Sequence, residues 1–283
     1  MIMPLTQPEK PSALLGCAKL TVESVSGLST VTSVYARTPM KLLAPRSRGQ
    51  SVWACTSSFG GGLVAGDETQ LDVRIGEGAC CFLGTQASTK IYRNPHRRAC
   101  KHVTHAAIDE NALLVFAPDP VQPFANSRYS QRQTFDLGAG AGLVLVDWFT
   151  SGRAACGERW AFDRFQSRND ILFSGKRIVR DSLLLDSMAA PITSPHRTGR
   201  FNCFALLLLI GGPTRPAAAK LLENVSARPV KRSAALVVSA SPVNHGALLR
   251  VAGESVEQTG RELHQHLKFV SELLGDDPWA RKW

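Results

Sequence analysis

The apolar and polar positions between residues 60 and 180 follow a pattern that occurs three times. Each copy has an apolar residue, Gly or Asp, any residue, Gly or Asn, Ala, and then a mostly apolar run. The copies are residues 75–83, 108–116 and 137–145, so their starts lie 33 and 29 residues apart. Because Gly and Asn tolerate positive φ, each copy predicts a tight turn between two strands. The pattern predicts stacked β-hairpins with a fourth, degenerate unit at 165–173; three unrelated hairpins are the alternative.

Stacking of these units would bring corresponding positions together where the second strand of each unit ends. The two positions that follow the shared Ala by six and seven residues are Thr85 and Gln86, Pro118 and Asp119, and Asp147 and Trp148. We therefore expect one face or end of the stack to collect these strand exits. The alternative interpretation is that Pro and Asp occur there because they end strands.

The second half of the chain predicts further strands and a few helices. Alternation at residues 176–186 and apolar runs at 201–210 and 234–240 indicate strands. Pro216 opens a short helix, and apolar residues at helical spacing predict a second helix at 254–274 that stops at Gly275.

No linker rich in Pro, Gly or Ser separates the two halves. We therefore expect a mainly β single domain over residues 1–283, layered and β-helix-like. Its repeat-rich β stack covers about 60–180, and a basic part with helices covers about 200–283.

Composition narrows the class of protein without naming a function. A chain of 283 residues with 44% apolar content can bury a sizeable core, which excludes a disordered chain and a disulfide miniprotein. The net charge of +10 favours acidic partners of any kind. Seven scattered cysteines fit a reducing compartment, so we expect a cytoplasmic protein. The longest apolar run, at 203–210, is too short to span a membrane and predicts a buried strand.

The glycine loop at 60–67 does not predict a nucleotide site, because no Lys-Ser/Thr pair follows it and a strand rather than a helix comes next. We expect its glycines to let one backbone segment pass close to another. No nucleophile elbow or catalytic triad order is recognisable in the sequence. The basic stretch at 90–101 contains Tyr92 as its one aromatic residue, which indicates a solvated loop rather than a nucleic-acid surface.

Metal-ligating residue types form two groups. One is Cys100, His102 and His105, and the other is His264 with His266. On a strand, Cys100 and His102 share a face while His105 points away, so neither group closes a tetrahedral site by itself.

Three carboxylates, Asp67, Asp147 and Glu158, lie beside Gly-rich or Gly-Arg turns. Isolated carboxylates bind divalent ions loosely, which suits passage better than storage. For Glu158, an ion pair with Arg153 or Arg159 is the alternative.

Five short blocks in this order resemble one known family, the urease accessory protein UreD, also called UreH. The blocks contain Gly61, Gly62, Gly66 and Asp67; Thr85, Gln86 and Lys90; Pro118, Asp119 and Pro120; Asp147, Trp148 and Arg153; and Glu158 with Trp160. Weaker similarity extends the resemblance over roughly residues 17–283. The cluster of Cys100, His102 and His105 matches none of the family's motifs, so a metal role there would be particular to this chain.

The resemblance implies a scaffold that is not an enzyme and that has no tightly bound cofactor. Such a protein binds UreF, which recruits the GTPase UreG, and docks on apo-urease to help assemble its dinickel site, as a dimer of heteromers in the complex. Nickel in transit would pass an internal tunnel with Asp67, Asp147 and Glu158 in its wall. No nucleic acid or membrane partner is implied.

The C-terminal region would supply much of the partner contact. Trp279, Arg281 and Trp283 are candidates, because terminal tryptophans have large apolar areas to bury. The competing hypothesis for the whole chain is a β-repeat hydrolase or carbohydrate-binding module, since stacked β-repeats with carboxylates at strand exits also describe those proteins.

Overall fold

The computed structural model describes residues 15–46 and 49–280. Its strands are β1 (Leu15–Val25), β2 (Leu28–Arg37), β3 (Met40–Leu43), β4 (Val52–Ser58), β5 (Gly62–Leu63), β6 (Glu68–Ile75), β7 (Cys80–Thr85), β8 (Thr89–Ile91), β9 (Cys100–Ile108), β10 (Leu113–Ala117), β11 (Val121–Pro123), β12 (Arg128–Leu137), β13 (Gly142–Thr150), β14 (Arg164–Phe173), β15 (Lys176–Asp186), β16 (Cys203–Gly211), β17 (Leu236–Val243) and β18 (Gly246–Gly253). The α-helices are α1 (Arg215–Ser226), α2 (Val256–Leu267) and α3 (Val270–Leu274), and short 3₁₀ turns lie at Phe59–Gly61, Ala154–Cys156 and Gly212–Thr214.

The strands form a β-solenoid with two broad faces and one narrow face. Sheet 1 has the strand order β15-β14-β12-β9-β6-β1-β2, and sheet 2 has the order β17-β18-β16-β13-β10-β7-β4-β3. The short strands β5, β8 and β11 pair in parallel along the narrow face. One turn of chain therefore supplies β6 to sheet 1, β7 to sheet 2 and β8 to the narrow face, and β9, β10 and β11 repeat this order. The mainly β, stacked architecture expected from the sequence is confirmed.

The repeats differ from the expected hairpins in which strands pair. The strands that flank each predicted turn lie in different sheets, and each pairs in parallel with its counterpart in the next repeat. The turns themselves are where the pattern placed them, with positive φ at Gly78, Asn111 and Gly140. Repeats of about 30 residues can stack in this way because each strand of one repeat forms its backbone hydrogen bonds with the equivalent strand of the next repeat. Within the expected fourth unit, β14 continues the parallel stack and then forms a true hairpin with β15.

Three apolar clusters surround and fill the solenoid. The sheet core lies between sheets 1 and 2 and includes Leu114 and Phe135. The aromatic core lies toward the narrow face, where Phe149 stacks on Phe165 with ring centroids 4.3 Å apart. The third cluster covers the outer face of sheet 2 with α1, α2 and α3. The described helices include none that is long and apolar enough to cross a membrane.

The C-terminal elements follow the sequence expectation with one break. The strands at 201–210 and 234–240 are present as β16 and β17, and the Pro-opened helix is α1. The single helix expected at 254–274 is divided into α2 and α3, and it ends at Gly275, whose φ of 74° is left-handed. Ser255 starts α2 by accepting a hydrogen bond from the Gln258 amide, as an N-cap does.

Candidate functional site

A polar layer crosses the interior of the solenoid between the sheet core and the aromatic core. It consists of two neighbouring rows of inward-facing residues on sheet 1, in register from strand to strand: Thr69, His102, Gln131 and Ser167, then Thr104, Gln133 and Asn169. The adjoining rows are apolar, with Ala106 and Phe135 on one side and Tyr129 and Phe165 on the other. Burying so many polar groups is unfavourable unless they are hydrogen-bonded to one another.

Asp147 reaches this polar layer from β13 in the opposite sheet. Its Oδ1 accepts a hydrogen bond from Gln131 Nε2 at 2.7 Å, and its Oδ2 accepts from Ser167 Oγ at 2.7 Å and Asn169 Nδ2 at 2.8 Å. All three donors are neutral. Among the ion pairs of the described residues, none includes Asp147. The layer therefore holds a carboxylate without a counter-charge.

The electrostatic state of Asp147 follows from this environment. Burial raises the pKa of its carboxyl group, the three hydrogen bonds partly offset that rise, and the nearby charge of Asp181 adds to it. A buried carboxylate with a raised pKa gains from any cation that arrives beside it, because the cation favours the ionised form. Asp147 is thus a carboxyl group of the solenoid interior that only neutral hydrogen-bond donors contact.

Two cavities meet at Asp147. The first, of about 110 Å³, is lined by Thr69, His102, Gln131 and Gln133 among others. The second, of about 280 Å³, lies on the other side and is lined by Ser167, Asp181 and Arg250 among others. Asp147 lines both. Asp147 is therefore the residue that the linings of the two cavities share.

The second cavity carries an ion pair in its wall. Arg250 Nη2 on β18 donates to Asp181 Oδ1 on β15 at 2.8 Å, so the pair joins the last strand of sheet 1 to sheet 2. The Arg250 side chain is more than half exposed, whereas that of Asp181 is largely buried.

The predicted convergence of strand exits is confirmed. Thr85 Oγ1 donates to Asp119 Oδ2 at 3.1 Å, the Asp119 amide donates back to Thr85 Oγ1 at 2.8 Å, and Trp148 Nε1 donates to the Pro118 carbonyl at 2.8 Å. All four of these residues line the first cavity. The Gln86 amide bonds the Thr56 carbonyl, and Pro120 is buried beyond this cluster.

Glu158 has a different environment from the one expected of a tunnel wall. Its carboxylate accepts hydrogen bonds from Arg153, from Arg93 and from the Ala125 amide, and it does not line either cavity that contains Asp147. These contacts, that of Arg153 first, lower the pKa of Glu158 to about 2. Of the two hypotheses for this residue, the contacts are those of the ion pair with Arg153. The nickel role of Glu158 stays a prediction that no contact supports.

Arg159, the other expected partner of Glu158, binds elsewhere. Its guanidinium donates to Asn202 Oδ1 at 2.5 Å and to the Gly199 carbonyl at 2.6 Å. Trp160 is buried in the aromatic core and donates from Nε1 to the Phe201 carbonyl at 3.0 Å. The block around Glu158 therefore fastens the loop after β13 to the segment before β16.

Asp67 also lies away from the two cavities. Its Oδ2 accepts a hydrogen bond from the Val64 amide at 2.8 Å, which closes the turn at the end of the glycine loop. Gly61 and Gly66 have positive φ in this loop. At Gly62, an added Cβ would lie 2.3 Å from the Lys90 carbonyl oxygen, so the expected close approach of two backbones is present. The nickel role of Asp67, like that of Glu158, stays a prediction.

The two groups of metal-ligating residue types are not assembled into metal centres. Among the described residues, no three His, Cys, Asp or Glu side chains are placed to hold a metal ion together. His266 Nε2 instead contacts the Glu262 carboxylate at 2.9 Å, and Cys100 Sγ donates to the Val64 carbonyl at 3.0 Å. His105 is exposed on the outer face of sheet 1, whereas His102 lines the first cavity. The expected alternation along β9 is thus confirmed.

Of the C-terminal candidates, Trp279 is described by the structure. Its ring packs edge-on against Phe82 with centroids 5.6 Å apart and lies 5.7 Å from the His264 ring. It is half-buried, so part of its surface covers sheet 2 and part remains accessible. Arg281 and Trp283 lie outside the described residues.

Fold and site together define a β-solenoid with a hydrogen-bonded polar layer in its interior. A family model described as UreD urease accessory protein matches residues 15–283. The chain is 43% identical to the Sorangium cellulosum protein called Urease accessory protein UreD, over 99% of this chain and 92% of that protein. It is 40% identical to the Anaeromyxobacter protein of the same name, over 94% and 89%, and 31% identical to Urease accessory protein D of Arabidopsis thaliana, over 94% and 100%. The chain belongs to the UreD family of urease accessory proteins and has a role in urease maturation.

Proposed function

We propose that this protein is the scaffold and metallochaperone through which nickel reaches the urease active site. The observation that carries the proposal is the buried polar layer with the unpaired Asp147 carboxylate between two cavities. A β-solenoid core needs no such layer for stability, because apolar residues at the same positions would pack without hydrogen-bond requirements. A polar interior that is hydrogen-bonded but not cation-paired suits the passage of a cation.

The chemistry of the layer supports transit rather than storage. A single carboxylate with amide and hydroxyl oxygens around it supplies oxygen ligands of modest strength. Gln131, Ser167 and Asn169 now donate to Asp147, and each can rotate to present an oxygen to a metal ion instead. These oxygens would replace part of the hydration shell of an incoming Ni²⁺, but they do not form a complete set of strong ligands. It would therefore leave as readily as it enters.

The protein-partner part of the proposal rests on the family. We propose that the chain binds UreF, reaches UreG through UreF, and docks on apo-urease in the cytoplasm, without catalytic turnover of its own and without a tightly bound cofactor. The assembled complex would be a dimer of heteromers. Purified protein that hydrolyses urea, an ester or a glycoside unaided would contradict the scaffold role.

The test of the nickel route is Asp147→Asn, with Asp72→Asn as the matched control. Asp72 is on the outer face of the same solenoid, where Gln70 contacts it, so its substitution removes one negative charge away from the layer. We expect Asp147→Asn to keep the complex with UreF and UreG intact and to lower urease activation and nickel content on the order of tenfold or more.

The stability of the Asp147→Asn protein shows whether a loss of urease activation comes from a blocked nickel route or from unfolding. Burial raises the pKa of Asp147, so loss of its charge is not itself unfavourable, but the Asn Nδ2 cannot accept the hydrogen bonds of one carboxylate oxygen. We therefore expect the free energy of unfolding to fall by about 1–3 kcal/mol, with the protein still folded. Urea unfolding at neutral pH measures this. Full urease activation by a folded Asp147→Asn protein would contradict the proposed route.

A further inference from the structure

His102 belongs to the polar layer and has no assigned role in the proposed nickel route. It lies on β9 directly opposite Gln131 of β12, and Gln131 donates to Asp147. His102 also lines the first cavity, on the side of Asp147 away from the second. Neighbouring strands of a sheet are about 4.8 Å apart, so one polar side chain separates His102 from the carboxylate.

The hydrogen bonds of His102 favour one tautomer of its ring. Thr69 Oγ1 lies 2.8 Å from Nδ1 and 3.2 Å from the Lys101 carbonyl oxygen. The carbonyl can only accept, so both contacts of Thr69 are hydrogen bonds when its hydroxyl proton points to the carbonyl and Nδ1–H donates to Thr69 Oγ1. Nε2 then has the lone pair, which accepts a longer, 3.2 Å hydrogen bond from Thr104 Oγ1.

This arrangement is the one that metal-ligating histidines share. Their second ring nitrogen donates to an oxygen that fixes the tautomer and the ring orientation, and the other nitrogen binds the metal. Burial lowers the pKa of His102 to about 4, so the imidazole is neutral at cellular pH and its lone pair is available. Rotation of one hydroxyl, that of Thr104, is enough to free Nε2.

We propose that His102 Nε2 is a nitrogen ligand for the metal ion in the first cavity, one station before Asp147, and that it selects Ni²⁺ over harder cations. The proposal rests on the proposed nickel route. Imidazole binds late first-row divalent ions much better than Mg²⁺ or Mn²⁺, whereas carboxylate and amide oxygens favour those harder ions. A route lined by oxygens alone would admit Mg²⁺, which is far more abundant than Ni²⁺ in cells. One imidazole in the cavity supplies the preference that the oxygens lack.

The experiment measures Ni²⁺ and Mn²⁺ binding to the untagged full-length protein in its complex with UreF. His102→Gln removes the imidazole and keeps an amide that can bond Thr69. His105→Gln is the matched control, because His105 is three residues away on the same strand and points outward. We expect His102→Gln to weaken Ni²⁺ binding about tenfold or more and Mn²⁺ binding less than about threefold, with no change in His105→Gln.

Nickel X-ray absorption spectroscopy of the wild-type complex with one equivalent of Ni²⁺ tests for an imidazole ligand without relying on the folding of a variant. We expect imidazole scattering that persists in His105→Gln and is lost in His102→Gln. Absence of this scattering from the wild-type complex would overturn the His102 proposal even if His102→Gln did not fold.

The outcomes also separate the two proposals. If Asp147→Asn loses Ni²⁺ binding while His102→Gln keeps both its affinity and its preference over Mn²⁺, the route stands and the role of His102 is rejected. If Asp147→Asn leaves Ni²⁺ binding and urease activation unchanged, the route itself is rejected. Loss of the Ni²⁺ preference in His102→Gln with Asp147 intact supports both.

Discussion

The carboxylates of Asp147 and Glu158 lie in opposite electrostatic environments, although the sequence suggested the same role for both. Asp147 is surrounded by neutral donors and its pKa is raised, whereas Glu158 lies between Arg93 and Arg153 and its pKa is lowered to about 2. An already compensated carboxylate has little attraction left for a metal ion. Neighbouring charges, which come from distant parts of the chain, decide which motif acid can attract a cation.

The lowered pKa of Glu158 predicts a specific pH dependence of stability. The folded carboxyl group ionises near pH 2 and the unfolded one near 4.5, so its ion pairs stabilise the protein above about pH 4.5, and this contribution is lost as the pH falls toward 2. We expect Glu158→Gln to be less stable than wild type at neutral pH, with the difference shrinking below about pH 4.5. Urea unfolding at several pH values, with the exposed Glu110→Gln as control, measures it. A difference that is independent of pH would count against the ion pair.

The same substitution separates the two hypotheses for Glu158 in the assembled complex. If the residue serves as an ion pair, Glu158→Gln should reduce the solubility of the protein or dissociate UreF and UreG. If it serves as a tunnel carboxylate, the complex should stay intact with little urease activation and low nickel content. Pull-down and nickel analysis of the same preparation distinguish these results, and full activation would reject both.

At the level of the strand, the sequence predicts where elements begin and end better than which elements pair. The turns at Gly78, Asn111 and Gly140 are set by local φ preferences and could be predicted. Pairing in parallel with the next repeat depends on contacts about 30 residues apart, which the local pattern does not encode. The same strand-turn-strand pattern is therefore compatible with a hairpin within one sheet and with an arch between two sheets.

The local sequence pattern does not reveal the polar layer, for a similar reason. In β12, Gln131 and Gln133 face inward while Ser130 and Arg132 face outward, so the five residues 130–134 are all polar and the apolar alternation disappears. A polar run of this kind is normally interpreted as solvent-facing. Asp147 could be found because the repeat placed it beside the other strand exits.

Gly62 provides a test of the close approach between successive turns of the solenoid. An added Cβ would lie 2.3 Å from the Lys90 carbonyl oxygen of the next turn and 2.8 Å from the Tyr92 ring, and the backbone carbonyl cannot rotate away as a flexible side chain could. We expect Gly62→Ala to lower the free energy of unfolding by about 1–3 kcal/mol.

Gly212→Ala is the control, because the nearest atom to its added Cβ is 3.9 Å away. Urea unfolding of the two variants compares them. Equal stability of both variants would mean that the glycine loop does not pack as described.

At the level of the whole molecule, the two ends of the solenoid are not alike. β15 ends sheet 1 at one side, where Asp181 lines the second cavity, and β2 ends it at the other side. β2 and its neighbours expose large apolar side chains, among them Leu28, Val34 and Tyr35. An exposed edge strand with apolar side chains favours self-association of the isolated protein. We expect poor solubility when the chain is expressed alone and recovery on co-expression with UreF.

The C-terminal segment, residues 276–283, can be deleted to test whether it is needed for the recovery of solubility on co-expression with UreF. Trp279 covers Phe82 with one part of its ring and leaves another part accessible, so it can serve the fold and a partner at once. We expect deletion of residues 276–283 to abolish pull-down of UreF and the gain in solubility on co-expression. Phe82→Leu is the control, because it weakens the same internal contact and leaves the segment in place. If the truncated chain retains UreF while both variants lose stability alike, the segment serves only to close the core over sheet 2.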